Sequence, residues 1–219
     1  MLTQSDTNRG IASTVSFNPS AESGGFTMTF VVASQGVPAP GANGFFLGAV
    51  TSNTVFFRDA TVGSFGIVLF GTTSRTGSGD GLGFVVGDNN NTAAADFILD
   101  AMPSSIELAS IQDGFTATLS ADPVGWSYSV DGINAPGGAA TTLANSGTWA
   151  AAGTDFASVF GSTTDWYVLA SNQGPGAAAG LPTHTVTYDR ITVATVPEPS
   201  ALTVLALLGT ALAGRRRRI

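Results

Sequence analysis

Between Gly10 and Val193 the chain has no sustained helical periodicity. Short apolar or alternating runs instead follow one another, separated by Gly, Asn, Asp and Pro, the pattern of strands joined by turns. Phe26-Thr-Met-Thr-Phe30 sets Phe26, Met28 and Phe30 on one face and two threonines on the other. Phe115-Thr-Ala-Thr-Leu119 and Trp126-Ser-Tyr-Ser-Val130 repeat the device, and Asp131-Gly132 behind the latter predicts a tight turn. Phe45–Val50, Phe65–Phe70 and Leu82–Val86 are apolar on both faces, as strands buried on both sides or covered by a long loop would be. Further strands are expected at Ala12–Phe17, Thr54–Arg58, Phe97–Leu99, Ser105–Ala109, Trp166–Ser171 and His184–Val193. In the last, Val186 and Tyr188 are out of phase with Ile191 and Val193, which predicts a bulge near Asp189-Arg190.

This many short strands with 28 glycines for their turns predicts an all-β fold, a two-sheet antiparallel β-sandwich over residues 11–195. A chain of 219 residues suits one such domain. Residues 1–10 are polar, without the apolar core of a signal peptide, and are expected to be disordered or to follow a missing upstream export segment.

The pattern changes in residues 196–219. Ala201–Gly214 is uncharged and largely apolar; counted from Val196, the stretch reaches roughly 29 Å as a helix, against about 30 Å of bilayer hydrocarbon. Pro199 fits a first helical turn, where its missing N–H costs nothing. A single transmembrane helix is the expectation here. Arg215, Arg216, Arg217 and Arg218 follow and would remain cytoplasmic, leaving the body outside. The order Val-Pro-Glu-Pro-Ser, apolar helix, arginine cluster resembles the PEP-CTERM sorting signal of Gram-negative bacteria. Pro197, Glu198 and Pro199 match its motif residue by residue. The resemblance implies cleavage near the motif by an exosortase, after transient anchoring in the inner membrane, and an exported surface or extracellular-matrix protein. It covers only the tail. More weakly, Asp113–Leu119, Gly125–Gly132 and Tyr188–Val193 are similar to strands of concanavalin-like jelly-roll domains, which supports the architecture and carries no ligand residues.

Charge narrows the function classes. Lysine is absent, and up to Thr195 four arginines face fourteen acids, a formal charge of −10. Nucleic-acid binding, which depends on Lys and Arg at phosphates, is disfavoured. Cysteine is absent and His184 is the only histidine, so no thiolate site or His-rich zinc site is available and no activated nucleophile is evident. Glu22 and Glu107 are the only glutamates of the body and form no recognisable acid pair. The expectation is a non-enzymatic domain without a cofactor. The alternative is a lectin-like module binding exopolysaccharide; a glycoside hydrolase ranks lower.

Thr76–Gly83 is glycine-rich but lacks a phosphate-loop register and reads as a hairpin loop. Asp88, Asn89, Asn90 and Asn91, with Asp80 and Asp96, offer oxygen donors of the kind calcium takes, but their spacing matches no EF-hand loop and an Asn/Asp turn is the default reading. Trp126 and Trp166 fall in strand patterns and are expected in the core. Trp149, in a Gly/Ala/Thr stretch, is expected to be exposed, where it could stack on a sugar ring.

Overall fold

The computed structural model describes residues 2–5, 9–22, 24–35, 45–52, 63–70, 81–88, 97–98, 114–134, 140–161, 163, 165–172 and 185–195. Strands run β1 (Leu2–Ser5), β2 (Arg9–Ala12), β3 (Phe26–Gln35), β4 (Phe45–Val50), β5 (Gly63–Phe70), β6 (Gly81–Asp88), β7 (Phe97–Ile98), β8 (Phe115–Ala121), β9 (Gly125–Asn134), β10 (Ala140–Thr148), β11 (Tyr167–Asn172) and β12 (Thr185–Thr195). Among the described residues one short α-helix, α1 (Phe156–Phe160), precedes β11.

The strands form two six-stranded sheets, ordered β1-β12-β3-β8-β9-β10 and β2-β11-β4-β5-β6-β7. Every pairing is antiparallel. The expected two-sheet sandwich is present. Alternation decides which face turns inward: in β8 buried and half-buried residues alternate from Phe115 to Ala121, because successive side chains leave a strand on opposite sides. Phe26, Met28 and Phe30 of β3 and Trp126, Tyr128 and Val130 of β9 meet Leu47, Phe65, Ile67 and Phe84 of the second sheet in one core.

Where β4 crosses the second sheet, Phe46 and Val50 on its outer face are as buried as Leu47 and Ala49 on the inner one, as its continuous apolar run predicts. The Phe46 ring lies over Gly48 and Gly66, where a Cβ would come within 2.7 Å of it. Those glycines make room for the ring.

Phe160 of α1 is fully buried between the sheets, with ring centroids 5.3 Å from both Phe26 and Phe65 and 5.0 Å from Trp166. Asp155 caps the helix by accepting from Ser158 N at 2.6 Å, and these hydrogen bonds hold its carboxyl below the usual aspartate range.

The bulge expected in β12 is there. Its register with β3 steps from Tyr188 to Arg190 and leaves Asp189 without an opposite residue. Tyr188 and Ile191 can then both turn toward the core.

Several expectations are corrected. Asp131-Gly132 does not end β9, which continues to Asn134. Gly132 takes φ 96°, and the register passes from Asp131↔Thr142 to Ile133↔Thr141, so the glycine forms an in-strand bulge instead of a turn. Ala140–Thr148, not among the strands expected from sequence, is edge strand β10. At the N-terminus β1 pairs with β12 and β2 with β11, through backbone bonds that polar residues make as well as apolar ones.

Among the described residues no helix is long and apolar enough to cross a membrane. The tail 196–219, with Pro197, Glu198, Pro199 and Arg215–Arg218, lies outside the described residues, as do the strands expected at Thr54–Arg58 and Ser105–Ala109.

Candidate functional site

The outward face of the first sheet carries the polar half of the alternation. The pairing registers align Thr27, Ser120, Ser127 and Ser146 in one row across β3, β8, β9 and β10. Thr29, Thr118, Ser129 and Ala144 form the next row, then Val31, Thr116, Asp131 and Thr142. With strands about 4.8 Å apart and same-face neighbours about 6.8 Å apart along each strand, this is a grid of short hydroxyls. Part of it is internally bonded: the Thr27 and Ser120 hydroxyls share a hydrogen bond of 2.9 Å, and the Thr142 hydroxyl donates to Asp131.

At the end of the grid near the β8–β9 turn lies a shallow open depression of about 260 Å³, lined by Ser120, Asp122, Val124, Ser127, Ser146 and Gly147, with Gly125 and Trp126 beneath. Asp122 builds its rim. One carboxylate oxygen accepts from Val124 N at 2.7 Å and Gly125 N at 2.9 Å, folding Asp122-Pro123-Val124-Gly125 into a tight turn. Two glycines let the backbones close in. A Cβ on Gly125 would lie 2.1 Å from the Gly147 carbonyl oxygen, and one on Gly147 would lie 2.7 Å from the Trp126 ring.

Trp149 fastens this rim from below. Its indole N–H donates to the Asp122 carbonyl at 2.6 Å, and its backbone N–H donates to Val124 O at 3.3 Å. The residue is 2% exposed, which corrects the expectation of an exposed stacking platform: β10 delivers it into the aromatic core, beside Phe156 and Phe160. Trp126 and Trp166 are buried as expected. Trp126 stacks on Phe84 at 4.3 Å.

Chemically the depression offers serine hydroxyls that donate and accept, one carboxylate that accepts, and the apolar edge of Val124, 73% exposed. Its volume falls below the roughly 300–1,000 Å³ of enclosed small-molecule pockets. It suits a polyol lying across a surface better than an engulfed ligand. None of its residues except Trp126 was singled out from sequence. The visible signal was Ser127 and Ser129 alternating with Trp126 and Tyr128, followed back to the Asp-Pro-Val-Gly turn.

A second cleft, of about 490 Å³, opens beside β2, β11 and β12 and is lined by Ile11, Val15, Phe17, Val168, Ile191 and Val193 among others. Its wall is mostly apolar, with Ser13 tied to the backbone through Val15 O and Val168 N.

The other residues weighed from sequence do not converge here. Glu22 follows the 3-10 turn Pro19–Ala21, while Glu107 and His184 lie outside the described residues. Of the oxygen donors considered for calcium, Asp88 ends β6, and Asp80, Asn89, Asn90, Asn91 and Asp96 lie outside the described residues. Among the described residues no three His, Cys, Asp or Glu side chains cluster to hold a metal. Tyr188 is buried with its hydroxyl unpaired among the described residues, and burial pushes its ionisation well above the ordinary tyrosine range.

Two antiparallel sheets around one aromatic core, the first with a polar outer face, define a jelly-roll β-sandwich. Solved structures share the sandwich fold at low sequence identity. The exoplasmic/lumenal domain of VIP36, solved with Ca²⁺ and Man3GlcNAc, matches over 91% of this chain and 86% of its own, with TM-score 0.51 and 10% identity. Lectin I-B4 from Griffonia simplicifolia, in its metal-free form, matches over 85% and 78% at TM-score 0.44 and 13% identity. Tailspike protein 2 of bacteriophage CBA120, in its enzymatically active domain, matches 86% of this chain at TM-score 0.48 and 16% identity. This chain spans only 24% of that tailspike domain. No family model and no curated protein sequence matches the chain.

Proposed function

We propose that this protein is an exported, non-catalytic glycan-binding domain, delivered to the cell surface or extracellular matrix by its C-terminal tail. The observation that carries the binding half is the depression at Ser120, Asp122, Ser127 and Ser146, where several hydroxyls and a carboxylate converge on a rigid sheet end. Neutral polysaccharide is the fitting substrate class, because its hydroxyls bond to such groups without needing the cationic side chains the body largely lacks. The VIP36 domain, solved with Man3GlcNAc bound, shares the sandwich fold, which supports the same reading.

A glycan array probed with residues 1–195 tests it. We expect selective binding to one or a few neutral glycans. Ser127→Ala combined with Ser146→Ala should weaken it about tenfold, at roughly 0.5–1.5 kcal/mol for each hydrogen bond lost. Flat binding across the array, or full affinity in the double variant, sinks this assignment.

The delivery half rests on Pro197-Glu198-Pro199, the uncharged Ala201–Gly214 and Arg215–Arg218. An exosortase cuts near the motif while the arginines hold the C-terminus in the cytoplasm; the inner-membrane anchor is temporary, and exopolysaccharide is the final partner. Replacing the three motif residues by alanine in the native host should leave the protein uncleaved and in the membrane fraction. Normal release of that variant ends the sorting proposal.

A further inference from the structure

Sheet edges are normally blunted by charge, proline or brevity, because unpaired N–H and C=O groups template pairing with another chain. β10 is the last strand of the first sheet. It is nine residues long, Ala-Thr-Thr-Leu-Ala-Asn-Ser-Gly-Thr, without a charge or a proline. In a body of formal charge −10, such a neutral edge is where two copies can approach. Its Thr142, Ala144, Ser146 and Thr148 are exposed.

The direction of its backbone groups follows from the ladder. Trp149 N donates toward Val124 on the β9 side. Because donors alternate along an antiparallel strand, Leu143, Asn145 and Gly147 also point their N–H groups to β9, while Thr142, Ala144 and Ser146 point outward. The Ser146 N–H is occupied by the Asn145 side-chain oxygen at 2.7 Å, and the Gly132 bulge disturbs the other end at Thr141/Thr142. The usable edge is the segment between these two devices.

We infer that β10 pairs antiparallel with β10 of a second copy, about a two-fold axis at Leu143. Leu143 then faces its own mate, and Thr142 faces Ala144 on either side, using the outward donors at Thr142 and Ala144 and leaving Ser146 capped. Leu143 is half-buried and packs against the core, so its mate extends the apolar layer across the junction. The nearest acid, Asp131, is held by Thr142 and faces no acid of the second copy in this register. The two first sheets become one, which sets two hydroxyl grids side by side on one surface. An edge this short makes a weak dimer, so a covalent trap is the suitable test.

The chain contains no cysteine, which makes single introduced cysteines unambiguous. In this register residues 143 form a non-hydrogen-bonded pair with Cα atoms about 4.5 Å apart, inside the range a disulfide spans. Full-length Leu143→Cys in mild detergent should oxidise to a covalent dimer at least about tenfold faster than Val15→Cys, an exposed control away from β10, because pairing raises the local thiol concentration. Should Leu143→Cys perturb the core, an equimolar mixture of Thr142→Cys and Ala144→Cys replaces it. That mixture should form the mixed disulfide faster than either variant alone forms its homodimer. Equal rates for Leu143→Cys and Val15→Cys, or no preference for the mixed disulfide, overturn the proposal. Neither readout depends on glycan binding.

Discussion

Replacing Phe65 by alanine is expected to cost the domain about 3–5 kcal/mol. Phe65 is fully buried on the inner face of β5. Its ring meets Phe26 at 5.6 Å, Phe84 at 5.3 Å, Phe160 at 5.3 Å and Trp149 at 6.4 Å. It therefore joins the second sheet to the first sheet, to α1 and to the tryptophan beneath the Asp122 rim. Truncation removes these aromatic contacts together with the transfer energy of the ring. The cavity cannot collapse easily, because β5 is hydrogen-bonded on both sides, to β4 and β6. Urea unfolding should show a lower midpoint at unchanged slope. Val15→Ala, at a site 76% exposed, should stay within about 0.5 kcal/mol. A loss below about 1.5 kcal/mol for Phe65→Ala would mean that the sheets are not clamped at this ring.

Gly25→Ala is expected to cost about 3 kcal/mol or more, from two separable sources. Gly25 adopts φ 89°, and a Cβ there would lie 2.2 Å from the Ala121 carbonyl oxygen and 2.7 Å from the Asp122 Cα. Both obstacles are backbone and cannot rotate away. Moving them breaks the Phe26↔Ala121 pairing of β3 with β8. Gly153→Ala isolates the conformational part: its φ is 73°, but nothing lies within 4 Å of the added carbon. That variant should lose only about 1–2 kcal/mol. Comparable losses in the two variants, measured by the same unfolding experiment, would refute the steric part. Because Asp122 forms the rim of the depression, Gly25→Ala should also weaken any ligand held there.

The alternation in Phe26–Phe30, Phe115–Leu119 and Trp126–Val130 was legible because strand periodicity is a local property, set by the pleat. The bulge at Asp189 was legible for the same reason: a phase error within one run has to be absorbed inside that run. Ala140–Thr148 was missed because an edge strand rich in Ala, Ser and Thr carries little apolar contrast, and its partner β9 supplies the order. Trp149 was misplaced because its flanking residues are small and polar, while the hollow that receives it is built by Phe65, Phe156 and Phe160. Asp131-Gly132 has the composition of a turn, and only continued pairing with β10 turns it into a bulge.

By itself, then, the sequence determined the all-β class, the inward and outward faces of the main strands and the acidic character of the body. The tertiary structure alone decided the strand order within each sheet, the burial of Trp149 and the meeting of Ser120, Asp122, Ser127 and Ser146 at one depression. Face and phase depend on neighbours one or two residues away. Strand order, and the backbone closeness that Gly25, Gly125 and Gly147 permit, depend on segments brought together from distant parts of the chain, which no local pattern encodes.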